Sequence, residues 1–241
     1  MRTDLAHEKS PKPHGNYVTL FCEERDLAGD TDALTLALAE LLPDLDGKRV
    51  LVAGLGNEGI TPDSLGVRAA GKVLATAHFA SGNASTQSEF VELGLREVYV
   101  LQPGVMAQTG MESAEQLRLI SSGLKPDYLI VIDSLACSSV ERLAATIQLT
   151  DTGISPGSGV KNNRCEISSK VMGVPVIAIG VPTVIDWHSA GAEPTSSEVP
   201  FMVVPRDIDV IINHYAKVIG GAVNRVLNPA LDESEIEGLL V

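Results

Sequence analysis

Two aspartates stand in the sequence where active-site side chains are often found. Asp63 follows the helix-start signal Thr61-Pro62, and Asp133 comes directly after the apolar run 129–132. Proline is favoured at the first position of a helix because its missing amide needs no partner there. Two carboxyl groups in one crevice cannot both ionise cheaply, so one can keep a proton while the other activates water. On position alone, structural roles stay open: a carboxylate favoured by the helix dipole for Asp63, and a helix cap for Asp133.

The elements that must position these side chains alternate between strands and helices. Core strands are predicted at Arg49–Gly54, 128–133 and 175–181, the last apolar enough for burial on both faces of a sheet. This alternation predicts an α/β fold with a single doubly wound, largely parallel sheet and helices on both faces. Ligands bind such sheets at the carboxyl ends of the strands, so Asp63 and Asp133 share a crevice if their strands are neighbours. The other predicted elements are strands at 17–22, Glu97–Leu101 and 146–149, helices near 31–42 (capped by Thr31), 64–76, 112–122, 140–144 and 207–227, and loops at 80–88, 151–163 and 186–199.

Length and composition favour one large domain. The chain has 241 residues, of which 44% are apolar and 4% aromatic, so a sizeable aliphatic core is expected. We expect a single domain over residues 1–241, with an extended N-terminal arm at 1–16 and an acidic tail at 228–241. The formal net charge of −13 argues against binding to nucleic acid or to an anionic membrane. Three cysteines without a CxxC motif, and an N-terminus without an apolar signal segment, predict a cytoplasmic protein.

Two conspicuous motifs are better explained as turns. Gly54-Leu55-Gly56-Asn57-Glu58-Gly59 matches the dinucleotide-binding pattern GxGxxG, but Thr61-Pro62 restarts the helix too late, and no acidic residue ends a strand about 20 residues further on. Asp151-Thr152-Gly153 spells the pepsin-type tripeptide, yet it occurs once, in an α/β pattern, with the polar Thr150 before it. We interpret the first motif as a tight turn that brings Asp63 to the sheet edge. The second is interpreted as a turn in which Gly153 adopts a left-handed conformation.

Other kinds of catalytic site find little support. His188 lies close to Asp186, but no HxxxH or HxxE spacing accompanies it, so no metal or cofactor is expected. A GxSxG elbow is absent, and Cys137 has no evident base nearby. The loop 151–163, with Lys161 and Arg164, and the residue Asp186 after the last core strand are candidates for shaping a cleft. A purely structural turn explains that loop equally well.

Several longer motifs resemble those of the germination proteases of endospore-forming bacteria, over residues 1 to about 186. They are Arg2-Thr3-Asp4-Leu5-Ala6, Gly15-Asn16-Tyr17, Thr61-Pro62-Asp63-Ser64-Leu65-Gly66, Pro103-Gly104-Val105-Met106, Ile132-Asp133-Ser134-Leu135-Ala136, the run from Ala145 to Val160, and the run from Gly173 to Val184. The resemblance implies an aspartic-type endopeptidase that degrades small acid-soluble spore proteins, with Asp63 and Asp133 as its catalytic pair. It also implies a phosphorylase/hydrolase-like fold similar to that of hydrogenase maturation proteases.

The same resemblance implies further properties. Members are made as zymogens and form homotetramers, so we expect a homo-oligomer in the spore core and a processing cut near Asp4-Leu5. Hydrogenase maturation proteases hold nickel with acidic residues at the same sheet edge, which leaves a metal-dependent maturation-type peptidase as an alternative. An inactive regulatory homologue is the other alternative.

Overall fold

A mixed β-sheet covered by helices on both faces organises the chain. The computed structural model describes residues 2–5, 13–22, 24–82, 84–157, 165–187 and 201–240. Within these residues the strands are β1 (Arg2–Leu5), β2 (Asn16–Phe21), β3 (Arg49–Gly54), β4 (Glu97–Leu101), β5 (Tyr128–Cys137), β6 (Thr146–Thr150), β7 (Val176–Asp186) and β8 (Met202–Val203). The helices are α1 (Leu27–Leu41), α2 (Leu65–Ala70), α3 (Ala77–Ala80), α4 (Ala84–Glu92), α5 (Met106–Thr109), α6 (Ser113–Leu124), α7 (Ser169–Met172), α8 (Ile208–Leu227) and α9 (Glu233–Leu239), with 3-10 turns at Thr61–Asp63 and Val140–Arg142.

The sheet has a parallel centre and antiparallel additions. Its strand order is β1-β2-β6-β7-β5-β3-β4, and β8 pairs with β7. The strands β4, β3, β5 and β7 are mutually parallel, and their ladders join more residue pairs than the antiparallel ladders do. The predicted α/β class is therefore confirmed, and β3 and β4 have the predicted bounds.

Alternation along the strands divides the core between the two faces of the sheet. In β5, Ile130 and Ile132 belong to the cluster under α1, α2 and α8, whereas Leu129 and Val131 belong to the cluster under α6 and α7. Side chains of a strand point alternately to its two faces, so a strand buried on both faces must be apolar throughout. None of the described helices combines the length and apolar character needed to cross a bilayer.

The helices differ from the sequence-based expectations in several places, and the helix predicted near 140–144 is only the 3-10 turn Val140–Arg142. The N-cap of helix α1 is Asp26, whose carboxylate accepts the amide of Ala28. The predicted cap, Thr31, lies inside the helix. The helix predicted over 64–76 ends at Ala70, because Asn224 of α8 satisfies the following backbone by accepting from Leu74 N and donating to Lys72 O. Helix α4 begins at Ala84, inside the loop predicted at 80–88.

The two chain ends and the end of β5 also differ from the sequence-based expectations. Part of the predicted arm is the edge strand β1, which pairs with β2, and the acidic tail contains α9, capped by Asp232. The strand predicted to end at Asp133 continues to Cys137, because β7 pairs with it as far as Ile185. Most of the predicted loop 186–199 lies outside the described residues.

Replacing Gly66 with alanine should destabilise the fold. A Cβ at Gly66 would lie 2.2 Å from the carbonyl oxygen of Ile132 and 2.4 Å from that of Leu55, so α2 would have to move off the sheet. We expect Gly66→Ala to lower the free energy of unfolding by about 1–3 kcal/mol in urea titrations. Gly123, in helix α6, is the matched control because a Cβ there meets nothing within 4 Å. Gly123→Ala should raise stability by about 0.5–1 kcal/mol, and equal effects at both sites would contradict the close-packing explanation.

Candidate active site

The strand order creates a crevice at the carboxyl ends of β3 and β5. These strands pair side by side, with Gly54 opposite Ile132. From β3 the chain goes on through α2 to β4 at one edge, whereas from β5 it goes on to β6 and β7 on the other side. A point where successive connections diverge in this way is the usual ligand site of an open α/β sheet.

Asp63 reaches this crevice on a tight turn that is bonded at both ends. The amide of Asp63 donates to Ile60 O at 2.8 Å, and Asn57 N donates to Asp63 O at 3.0 Å. The turn is tied to the sheet by Thr183 of β7, whose hydroxyl donates to Pro62 O at 2.7 Å. Because the Thr183 side chain is fully buried, this bond is protected from water and fixes the turn over the strand ends.

The GxGxxG motif provides the space for that turn. Gly56 has a φ of +109°, and a Cβ there would lie 1.9 Å from Asp63 O. Only glycine permits both that backbone conformation and that approach. The motif is therefore a tight turn beneath Asp63, in agreement with the sequence-based interpretation.

Asp133 enters the same crevice from β5. Its side chain is buried, with 6% of its surface exposed, and its Oδ1 accepts the amide of Ser134 at 2.9 Å. Asp63 is half-buried, and both aspartates line one cavity of about 500 Å³. The structure thus brings together the two carboxylates that the sequence places 70 residues apart.

The cavity continues into a second one of about 420 Å³. Four residues line both: Leu135, Gln148, Ile154 and Ser155. Pro156 and Gly157 extend the wall of the first cavity, so the described part of the predicted loop 151–163 does border the cleft. Among the described lining residues the charged ones are carboxylates, namely Asp63, Asp133 and, in the second cavity, Glu166.

The Asp-Thr-Gly tripeptide has a structural role. Asp151 Oδ1 accepts the backbone amide of Asn16 at 2.8 Å, and its Oδ2 accepts the Asn16 side-chain amide at 2.7 Å. Gly153 has a φ of +88°, as expected for a left-handed turn residue. Asp151 therefore joins the start of β2 to the end of β6, and it does not line either cavity.

Of the remaining predicted site residues, the structure describes Asp186, Asp4 and Leu5. Asp186 is the last residue of β7 and lies opposite Met202, which lines the first cavity. Asp4 and Leu5 belong to β1, in register with Tyr17 and Asn16 of β2. Lys161, Arg164 and His188 lie outside the described residues.

Sequence reasoning missed Thr183 and Gln148. Each had a weak signal: Thr183 is a polar residue inside an apolar run, and Gln148 alternates with Ile147 and Leu149, which are buried. A polar residue inside a buried strand needs a partner, which for Thr183 is Pro62 O. No local pattern indicates which segment supplies that partner.

The cysteines are unsuited to nucleophilic catalysis. Burial, followed by the charge of Asp30, raises the pKa of Cys22 to about 12, and burial raises the pKa of Cys137. A thiol with a raised pKa stays protonated at neutral pH and is a poor nucleophile. Cys165 is exposed, and it does not line the cleft. In the described parts of the chain no group of three or more potential metal-ligating side chains comes together.

The fold and the site define a class: an α/β protein with a carboxylate pair in a cleft at the switch point of its sheet. A family model described as germination protease matches residues 3–195. The chain belongs to the germination protease family and is a peptidase of that family.

Named relatives agree over most of the chain. It is 35% identical to a germination protease of Clostridium acetobutylicum over 97% of this chain and 84% of that one. The corresponding protein of Caldanaerobacter subterraneus is 36% identical, over 95% and 83%. A Bacillus cereus germination protease is 38% identical over 94% of this chain and 60% of its own length. A [NiFe] hydrogenase maturation protease HycI from Thermococcus kodakarensis aligns over 78% of this chain and 98% of its own, with 17% identity and a TM-score of 0.43.

Removing the Thr183 hydroxyl should loosen the turn that carries Asp63. Thr183→Val keeps the shape of the side chain but leaves Pro62 O without its buried donor, which costs about 1–3 kcal/mol of stability. We also expect a lower kcat with a smaller change in KM, because the variant disturbs the position of one carboxylate. Thr183→Ser retains the donor and should keep most of the activity. Equal kcat values for the wild type, Thr183→Val and Thr183→Ser would show that the bond does not position the turn.

Proposed function

We propose that the protein is an aspartic-type endopeptidase in which Asp63 and Asp133 together activate a water molecule. One observation carries this proposal: two aspartates from separate elements line the same cavity at the switch point of the sheet. Both belong to motifs in which the chain resembles its family. The cavity is large enough for a segment of extended peptide, and apart from the two aspartates its lining is apolar or polar and uncharged.

The chemistry follows from the shared cavity. One carboxylate takes a proton from water as the water oxygen attacks the carbonyl carbon of the scissile peptide bond. The other carboxyl group, protonated, donates to the carbonyl oxygen. When the tetrahedral intermediate collapses, the C–N bond breaks and a proton passes to the leaving amine. In this proposal the proton is shared by the pair, so the roles of acid and base belong to the pair and not to one residue each.

Small acid-soluble spore proteins are the proposed substrates, by resemblance to the family. An open cleft bordered by strands and by residues 154–157 suits an unfolded or extended polypeptide better than a compact protein. A homo-oligomer, a tetramer by the same resemblance, is the proposed assembly.

Replacement of either aspartate by asparagine should abolish most of the activity. Asp63→Asn and Asp133→Asn keep the size of the side chain but remove its proton-transfer chemistry, which is typically worth about 10²- to 10⁴-fold in rate. We expect kcat on a spore-protein peptide to fall by that factor in each variant, with peptide affinity largely retained. The double variant should be little worse than the single ones, because the pair acts as a unit.

Two other aspartates provide matched controls. Asp127 lies at the opposite end of β5, where it accepts the amide of Arg49, and Asp151 carries the pepsin-like motif. Asp127→Asn and Asp151→Asn should keep kcat within about twofold once differences in folded fraction are corrected. Near-normal turnover by Asp63→Asn or Asp133→Asn would refute the proposed pair. Activity that is lost on dialysis against a chelator and restored by a metal would favour the metal-dependent alternative.

We also propose a processing cut near Asp4-Leu5, which requires β1 to separate from β2. Both residues belong to the edge strand β1, which pairs with β2, and a strand must leave its partner before a protease can bind it in extended form. We therefore expect processing to be slower when the β1–β2 pair is stabilised. Mass spectrometry of the active enzyme should show a mass that lacks the first residues. A fully active enzyme with an intact N-terminus would contradict the cut.

A further inference from the structure

A single row of paired residues crosses the sheet from Asp133 towards its edge. Asp133 of β5 is in register with Gly180 of β7, Gly180 with Gln148 of β6, and Gln148 with Thr19 of β2. Residues in register present their side chains to the same face of a sheet. Neighbouring strands lie about 4.8 Å apart, so Gln148 stands about 10 Å from Asp133 along the row and Thr19 about 14 Å.

The two cavities lie along this row and share four lining residues, and together they are called the groove. Asp133 and Gln148 line the first cavity, while Gly180, Gln148 and Thr19 line the second. Between them the side chain of Leu135 packs over Gly180, where a Cβ would lie 2.6 Å from it, so Leu135 forms the floor that the two cavities share. Ile154 and Ser155 border both cavities, so the groove has a wall as well as a floor.

Gln148 is the polar side chain at the middle of the groove. Its neighbours Ile147 and Leu149 are fully buried in the core on the opposite face, so the glutamine side chain is held on the groove side. Its half-buried carboxamide makes no hydrogen bond with the described residues. A carboxamide offers both a donor and an acceptor, which matches the C=O and N–H of a peptide backbone.

Hydroxyl side chains line the far end of the groove where the row reaches β2, and the lining of this second cavity also includes Glu166. The hydroxyls of Thr150 and Thr152 lie 2.9 Å apart, and Tyr17 OH lies 3.1 Å from the Thr152 hydroxyl. These side chains line the second cavity together with Thr19. Hydroxyl groups can donate or accept, so these side chains suit hydrogen bonds with the main chain of a substrate.

We propose that Gln148 binds the main chain of the substrate about three residues from the scissile bond, in a groove that runs from Asp133 over Leu135 to Thr19. The distance of about 10 Å corresponds to three residues of extended chain at about 3.3 Å each. This inference rests on the proposed function, because it takes the Asp63–Asp133 cavity as the site of cleavage. It assigns Gln148 to substrate binding and not to the chemical step.

The test compares long and short peptides bound to an enzyme that cannot cut them. In the Asp63→Asn background, calorimetry would measure the dissociation constants of a cleavable spore-protein peptide that extends five residues on each side of the scissile bond. Two truncated peptides would retain only two residues on one side or the other. Gln148→Met, which keeps the length of the side chain but removes its hydrogen bonds, should weaken binding of the long peptide about tenfold.

Peptide length makes the result specific to Gln148. Truncation on the side that occupies the groove should weaken binding to the enzyme that retains Gln148. For that truncated peptide, the dissociation constants of the enzyme before and after Gln148→Met should agree within about twofold. Gln87→Met, on the exposed surface of α4, is the matched control and should leave all affinities unchanged. N-methylation of one backbone amide three residues from the scissile bond should reproduce the loss with Gln148 intact.

Failure of this inference is distinguishable from failure of the proposed function. If Gln148→Met weakens the long and both truncated peptides equally, or weakens none, the groove assignment is wrong. Turnover by Asp63→Asn and Asp133→Asn, measured separately, decides the catalytic pair. In the otherwise wild-type enzyme, Gln148→Met should raise KM for the long peptide with kcat within about twofold, and a fall in kcat alone would overturn the binding role.

Discussion

The parallel pairing of β3 with β5 is the constraint on which the site depends. It puts the ends of two strands side by side, and the backbone of α2 lies directly on them because Gly66 has no side chain. The turn before α2 therefore stands over the end of β5, where the Thr183 hydroxyl holds it. If a methyl group at position 66 pushed α2 away from the sheet, Asp63 would move relative to Asp133. Protein interiors are packed too densely for such a displacement to be absorbed elsewhere.

Much of the central sheet could be predicted from the sequence because its signals are local. Apolar runs marked β3, β5 and β7, and the polar residue that follows such a run marked Asp133. Thr61-Pro62 marked the turn at Asp63 because proline restricts its own backbone. The bounds of α1 and α2 could not be predicted in the same way. Asp26 and Thr31 are both good helix caps, and the end of α2 depends on Asn224, which is more than 150 residues away.

The groove illustrates the same limit for function. The buried neighbours Ile147 and Leu149 indicate the face of the sheet on which Gln148 lies, but only the register of β5, β7 and β6 puts Gln148 and Asp133 in one row. The row also explains why a conspicuous motif was a poor guide. Asp151 lies three residues beyond Gln148, outside that row, and its two oxygens are occupied by Asn16. The proposed chemistry belongs to residues that the topology brings together and not to the Asp-Thr-Gly tripeptide.

The central claim is that Asp63 and Asp133 act as one titrating pair. It is tested most directly by NMR titration of the side-chain carboxyl carbons, with ¹³C-labelled aspartate, in the wild type and in each asparagine variant. The account predicts that replacing Asp63 changes the titration of Asp133, and the reverse, because the charge of one carboxylate opposes ionisation of the other. Titration curves of each aspartate that are the same with and without its partner would contradict the claim.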